Sequence, residues 1–184
     1  MFRKTAMAFL AVVVVLGLAA PESFGRTTSI EGAQELTLVE VGAKAPEFVL
    51  FGVDLKYHSL AHYRDKDAVV LVFHCNHCPI SQGNVERLVA LGNEYQAKNV
   101  QFLIINPNPA DKVAAEGFGQ MSARAADNDY PFPYLTDETQ EVAYAYGARR
   151  TDHVFILGKA HEDGSRHVEF IGPVDNRGQE PVYI

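Results

Sequence analysis

Ala68-Val69-Val70-Leu71-Val72-Phe73-His74-Cys75-Asn76-His77-Cys78-Pro79 decides how this chain folds. Its first six residues are apolar and mostly β-branched, with no polar alternation. That is the pattern of a strand covered on both faces. Pro79 suits a first helical turn, where its missing N–H leaves nothing unpaired. Beyond it Val85, Leu88, Val89, Leu91 and Tyr95 fall at helical spacing. The chain has two cysteines, three positions apart, and both lie where strand gives way to helix.

Working outward, residues 100–105 form a second continuous apolar run, ended by Asn106-Pro107-Asn108-Pro109, which cannot continue a ladder. Residues 111–126 predict a helix weakened by Gly117 and Gly119. Phe132-Pro133-Tyr134-Leu135 reads as extended, and Asp137 opens a helix that runs through Tyr146 and stops at Gly147. Residues 153–157 and 167–171 predict a hairpin around Glu162-Asp163-Gly164-Ser165. Upstream, residues 41–50 give a turn and a short extended piece, and residues 57–63 a further bend. The order implies an α/β domain, a mixed central sheet flanked by helices.

The amino-terminal residues 1–25 read as a signal peptide. Arg3 and Lys4 precede an apolar run over residues 6–20, and Ser23-Phe24-Gly25 offers a small-x-small cleavage site. The run is shorter than the ~20 apolar residues a bilayer span needs, so cleavage is favoured over an uncleaved anchor, and no stable membrane insertion is expected. No cysteine near the leader's end suggests a lipid anchor. Residues 26–40 read as a flexible lead-in and 41–184 as one domain, in a periplasmic or extracellular setting. The chain carries a net charge of −7, and removing the leader makes it one unit more negative. An acidic domain without a basic run excludes a nucleic-acid footprint.

Export makes a disulfide permissible, but a bridge closing so short a loop constrains the unfolded chain little. Redox chemistry or metal binding explains the pair better than stapling. A lone C-x-x-C is also half of a zinc site, yet no second C-x-x-C and no H-x-x-x-H pair follows it. With Cys75 placed at the strand-to-helix junction, the helix end favours its thiolate. Cys75 then reads as the exposed attacker and Cys78 as the more buried resolver. Asn76 and His77 are expected to tune the pair, while His74 reads as structural. No cofactor and no metal is expected.

The chain resembles bacterial thioredoxin-like proteins of the redoxin (AhpC/TSA-related) family. The likeness rests on Val41-Gly42 through Pro46-Glu47-Phe48, the strand ending at Phe73, and Cys75-Asn76-His77-Cys78-Pro79. It continues through Ile105-Asn106-Pro107-Asn108, Phe132-Pro133-Tyr134-Leu135, Gln140-Glu141-Val142-Ala143, Tyr146-Gly147-Ala148 and Val154-Phe155-Ile156-Leu157. It implies a thioredoxin fold and a dithiol–disulfide activity carried by Cys75 and Cys78. Its partners would be protein or small-molecule thiols and disulfides, and an unidentified redox partner.

The chain departs from the family in two places. Thioredoxin-like folds set a cis-proline after a threonine, facing the cysteines. Here Thr151 is followed by Asp152. A cis bond to a non-proline residue costs about 2.5–4 kcal/mol, so a trans or rearranged substrate loop is expected. A carboxylate close to the sulfurs would raise a thiol's pKa; one in solvent would leave it alone. Loss of the proline also lets Cys75, Cys78 and His153 converge on a soft metal. The second departure is the end at Ile184, which leaves out the family's final helix and reads as a truncation or as a sheet covered differently.

Two other functions compete with disulfide exchange. A peroxiredoxin-type P-x-x-x-T-x-x-C motif with Cys78 as attacker would need threonine at 75 and proline at 71, where this chain has Cys75 and Leu71. The other rival is a redox-inactive, metal-binding thioredoxin-like module.

Overall fold

The computed structural model describes residues 38–174. The proposed leader, most of the lead-in and the last ten residues therefore lie outside the described residues. The elements run β1 (Val49–Gly52), β2 (Tyr57–Ser59), β3 (Ala68–Phe73), α1 (Pro79–Gln96) and β4 (Val100–Asn106). They continue through α2 (Phe118–Asp127), β5 (Tyr134–Thr136), α3 (Glu141–Tyr146), β6 (His153–Leu157) and β7 (Val168–Pro173). The strands form one sheet in the order β2-β1-β5-β4-β3-β6-β7. β3, β4 and β5 are parallel neighbours, and β6 returns antiparallel against β3. This is the mixed sheet expected from the sequence. No helix among the described residues is long and apolar enough to cross a membrane.

β3 lies inside the sheet between β4 and β6, and its side chains alternate between two cores. Val69, Leu71 and Phe73 pack with Leu103, Ile105, Phe155 and, from α3, Val142 and Tyr146. Val70 and Val72 pack on the other face with Phe102, Ile104, Leu88 of α1 and Met121 of α2. Both faces are covered, which is why the strand reads as an unbroken apolar run. The parallel register Phe73↔Ile105 then carries one step past β3, where the His74 amide donates to Ile105 O at 2.8 Å.

Two helices differ from the sequence reading. Residues 111–126 do not form one helix. A 3-10 turn spans Ala114–Glu116, and α2 starts only after Gly117, whose backbone is extended. The helix expected from Asp137 begins at Glu141, because Gln140 adopts a left-handed φ of 62°. Asp137 still serves that helix from outside, accepting from the Ala143 amide at 2.8 Å and the Val142 amide at 3.3 Å. At the end of the lead-in, the Val39 amide donates to Tyr146 O at 3.3 Å.

Arg166 is fully buried and holds the β6–β7 hairpin to the chain preceding β3. Its guanidinium donates to Tyr63 O at 2.5 Å, to Lys66 O at 2.9 Å and to Gly158 O. Across the sheet, α1 approaches the β5 side closely at Gly92. A Cβ there would sit 2.6 Å from Phe132 Cδ1 and 3.0 Å from Pro131 Cγ. Overpacking of this kind costs about 1–3 kcal/mol, against about 1 kcal/mol gained in helix propensity. Gly92→Ala should therefore lower stability in urea unfolding, despite replacing a mid-helix glycine; a stabilised variant would contradict the packing described.

Candidate active site

Five residues, 74–78, join β3 to α1 without belonging to either. The helix begins at Pro79, and its N-cap is Cys78, with φ −64° and ψ 130°. The sequence reading puts Cys75 at the helix start, three residues too early. Proline at the first helical position pushes the cap onto the residue before it.

The exposure of the two thiols is also the reverse of the expectation. Cys75 is 6 % exposed, while Cys78 is half-buried. Both sulfurs are free thiols. Burial pushes the Cys78 thiol up, but hydrogen bonds from the Ser81 and Ile80 backbone amides, and from the Cys75 and Thr151 side chains, outweigh it. Its pKa ends below the ordinary cysteine value. These are the unpaired N–H groups of a helix N-terminus. Burial dominates at Cys75 and pushes its thiol up, helped by repulsion from a charged Cys78. Ser81, Thr151 and the Cys78 amide only partly offset this. Thr151 Oγ1 lies 3.5 Å from Cys75 Sγ. A cleft of about 180 Å³ opens beside Cys75, between Pro107 and Thr151.

Two buried carboxylates grip the linker. Glu116, on the 3-10 turn before α2, accepts from the Asn76 amide at 2.6 Å, the His77 amide at 3.1 Å and Asn106 Nδ2 at 2.9 Å. It also pairs with His77 Nδ1. Asn76 reaches the same turn, its Nδ2 donating to Ala115 O at 2.8 Å. Burial pushes the Glu116 carboxyl up, but the His77 ring, the two amides and Asn106 together hold it below its ordinary value.

Asp152 grips the other side. It is 3 % exposed, so the reading that left it in solvent is overturned. Its amide donates to Phe73 O at 2.7 Å, which stacks the loop on the end of β3. Its carboxylate receives His74 Nδ1 at 2.7 Å, Asn84 Nδ2 at 2.7 Å and Ser81 Oγ at 3.2 Å. The loop is rearranged as anticipated, with no cis peptide among the described residues and a left-handed φ of 56° at Asp152. Aspartate tolerates that region better than most residues.

His153 does not join the cysteines. Among the described residues no three His, Cys, Asp or Glu side chains stand close enough to hold a metal ion. Burial, with the charges of Arg150 and Arg149, holds its imidazole down to about 4, and Nδ1 faces the Arg149 amide at 3.4 Å.

With the site laid out, its kinship is clear. The description "AhpC/TSA family" matches residues 41–171. The chain belongs to that family. It is 28 % identical to the thiol-disulfide oxidoreductase ResA of Geobacillus thermodenitrificans, over 94 % of this chain and all of that protein. Its fold matches an uncharacterized conserved protein from Geobacillus kaustophilus at a TM-score of 0.69 and 36 % identity, over 78 % of this chain and 76 % of the other. A thioredoxin-like protein from Aeropyrum pernix shares the fold at a TM-score of 0.53 and 18 % identity, over 72 % and 84 %. This AhpC/TSA family member is a thioredoxin-like thiol–disulfide oxidoreductase.

Sequence reasoning missed Glu116, Ser81 and Asn84 in this family member's site. Ser81 and Asn84 could have been found, because they lie on the same helical stripe as the buried Val85 and Leu88. Glu116 gave no such signal, since its partners Asn76 and His77 lie some forty positions upstream.

Glu116→Gln should cost about 1–3 kcal/mol at neutral pH, because an amide NH₂ would face donors that now meet a carboxylate. Since the folded-state pKa of Glu116 is lowered, its contribution is full above its ordinary 4.5 and lost as pH falls through the folded value. The stability gap between wild type and variant, read by urea unfolding, should therefore close below that pH. A gap independent of pH would contradict the charge assignment.

Proposed function

We propose that the enzyme reduces or exchanges disulfides of exported proteins or small thiols through Cys75-Asn76-His77-Cys78, with Cys78 attacking and Cys75 resolving. The observation that carries this reading is the position of Cys78 on the helix N-terminus, where the Ile80 and Ser81 amides favour its thiolate. Thiolate, not thiol, is the nucleophile in exchange.

The Cys78 thiolate attacks one sulfur of a substrate disulfide R–S–S–R′. The S–S bond breaks, R′–S⁻ leaves and takes a proton from solvent, and Cys78 is left in a mixed disulfide with R–S. Cys75 loses its proton and attacks Cys78 Sγ, so R–S⁻ leaves and is protonated. Two electrons pass from the dithiol to the substrate, and Cys75–Cys78 becomes a disulfide. Run backwards with a reducing dithiol, the same steps regenerate the enzyme. Thr151, within reach of both sulfurs, borders the substrate loop.

Export rests on the charged start, apolar run and cleavage site of residues 1–25. Peroxide reduction is disfavoured because Cys75 occupies the threonine position of the peroxidase motif and Leu71 its proline position.

In an insulin-type disulfide reduction assay, Cys78→Ser should be inactive. Cys75→Ser should accumulate a mixed disulfide with substrate, while wild type consumes peroxide slowly. Trapping by Cys78→Ser instead would reverse the roles. Rapid peroxide consumption that survives in Cys75→Ser would replace the proposal with a peroxidase.

A further inference from the structure

The resolving step faces a difficulty. Cys75 is buried, and burial disfavours its thiolate, yet it must lose a proton to attack. Behind it runs a chain of contacts that leads away from solvent. Ser81 Oγ lies 3.4 Å from Cys75 Sγ and 3.2 Å from Asp152 Oδ1. Ser81 is itself fully buried.

The direction of this chain follows from what each atom can donate. An ionised carboxylate only accepts, so the single Ser81 hydroxyl proton points to Asp152. That leaves the hydroxyl's lone pairs for the Cys75 amide, at 3.2 Å, and for the Cys75 S–H. The carboxylate is held on both oxygens: Oδ1, which receives Ser81, also receives His74 Nδ1 at 2.7 Å, and Oδ2 receives Asn84 Nδ2 at 2.7 Å.

We propose that Ser81 and Asp152 form a proton relay that takes up the Cys75 proton as Cys75 attacks the mixed disulfide. The proposal rests on the resolving role of Cys75 and deepens it. The thiol proton passes to Ser81 Oγ while the Ser81 hydroxyl proton passes to Asp152 Oδ1. The Cys75 sulfur then bonds to Cys78 Sγ, the bond from Cys78 to the substrate sulfur breaks, and the departing thiolate takes a proton from solvent. When a reductant reopens Cys75–Cys78, Asp152 returns its proton by the same path. Ser81 is a catalytic residue in this scheme, since it touches a reacting atom. Asp152, acting through Ser81, is a positioning residue that also stores the proton, and His74 and Asn84 hold it in place.

Several titratable groups surround Asp152. His74 comes from the linker and bonds it directly, Cys75 reaches it through Ser81, and Tyr130, before β5, feels its charge. His153, the next residue and the first of β6, carries the influence of Arg149 and Arg150 from the loop before it. A pH profile must therefore be read as the difference that a substitution of Asp152 makes.

The test uses the reduced protein mixed rapidly with 5,5′-dithiobis(2-nitrobenzoate). Attack by Cys78 releases a first coloured thiolate, and resolution by Cys75 releases a second. In Ser81→Ala and in Asp152→Asn the ratio of the second rate to the first should fall at least about tenfold, positioned acid–base groups typically contributing ~10²–10⁴-fold. The second rate should also become steeply dependent on pH between about 6 and 8, where wild type is flatter. Ser81→Thr, which keeps the hydroxyl, should recover most of the loss. An unchanged ratio and profile in Ser81→Ala would overturn the relay, even if Asp152→Asn failed to fold. A second release that persists in Cys75→Ser would instead overturn the assignment of Cys75 as resolver.

Discussion

The linker between β3 and α1 has to leave the sheet, cross five residues and start a helix, and its first three residues, 74–76, are buried. Most of its backbone amides can find no ladder partner, and a buried amide without one costs roughly 1–3 kcal/mol. Two carboxylates hold the linker, with Ser81 Oγ accepting from the Cys75 amide. Glu116 takes the amides of Asn76 and His77, and Asp152 takes the His74 side chain and anchors its own amide on Phe73. Both carboxylates are almost wholly buried, and donors surround each of them. The rest of the site depends on this double grip, because it sets where the two sulfurs stand.

Once the linker is held, the chemical asymmetry of the cysteines follows from position alone. Cys78 caps the helix and meets free amides, whereas Cys75 lies behind it against Ser81 and Thr151. Backbone amides at the helix start lower the pKa of one thiol, and burial raises that of the other. A pair of identical thiols would compete for substrate; a pair made unequal has an order of events built in. The same inequality creates the need for a proton acceptor behind Cys75, and Ser81, on the buried stripe of α1, offers the proposed route to one.

Much of the fold was legible because it rests on local rules. β3 is covered on both faces and reads as an unbroken apolar run, and Pro79 marks the start of α1. The failures were of two kinds. Residues 111–126 carried helical propensity, but the extended backbone at Gly117 split them. The expected exposure of the two cysteines was reversed because the helix start was placed at the first cysteine of the motif, and burial of a linker residue has no local signature. Asp152 was flagged as a departure, yet nothing near it in the chain announces His74, Ser81 and Asn84 as its partners, some seventy positions away. Periodicity reports which face of an element is buried; it does not report which buried polar groups meet.

Exchange in the proposed order requires Cys78 to be the more acidic and more accessible thiol. Limited alkylation of the reduced protein with iodoacetamide near neutral pH, followed by peptide mass mapping, reads this directly. The label should fall on Cys78 well before Cys75. Preferential labelling of Cys75 would contradict both the helix-capped thiolate at Cys78 and the burial of its neighbour.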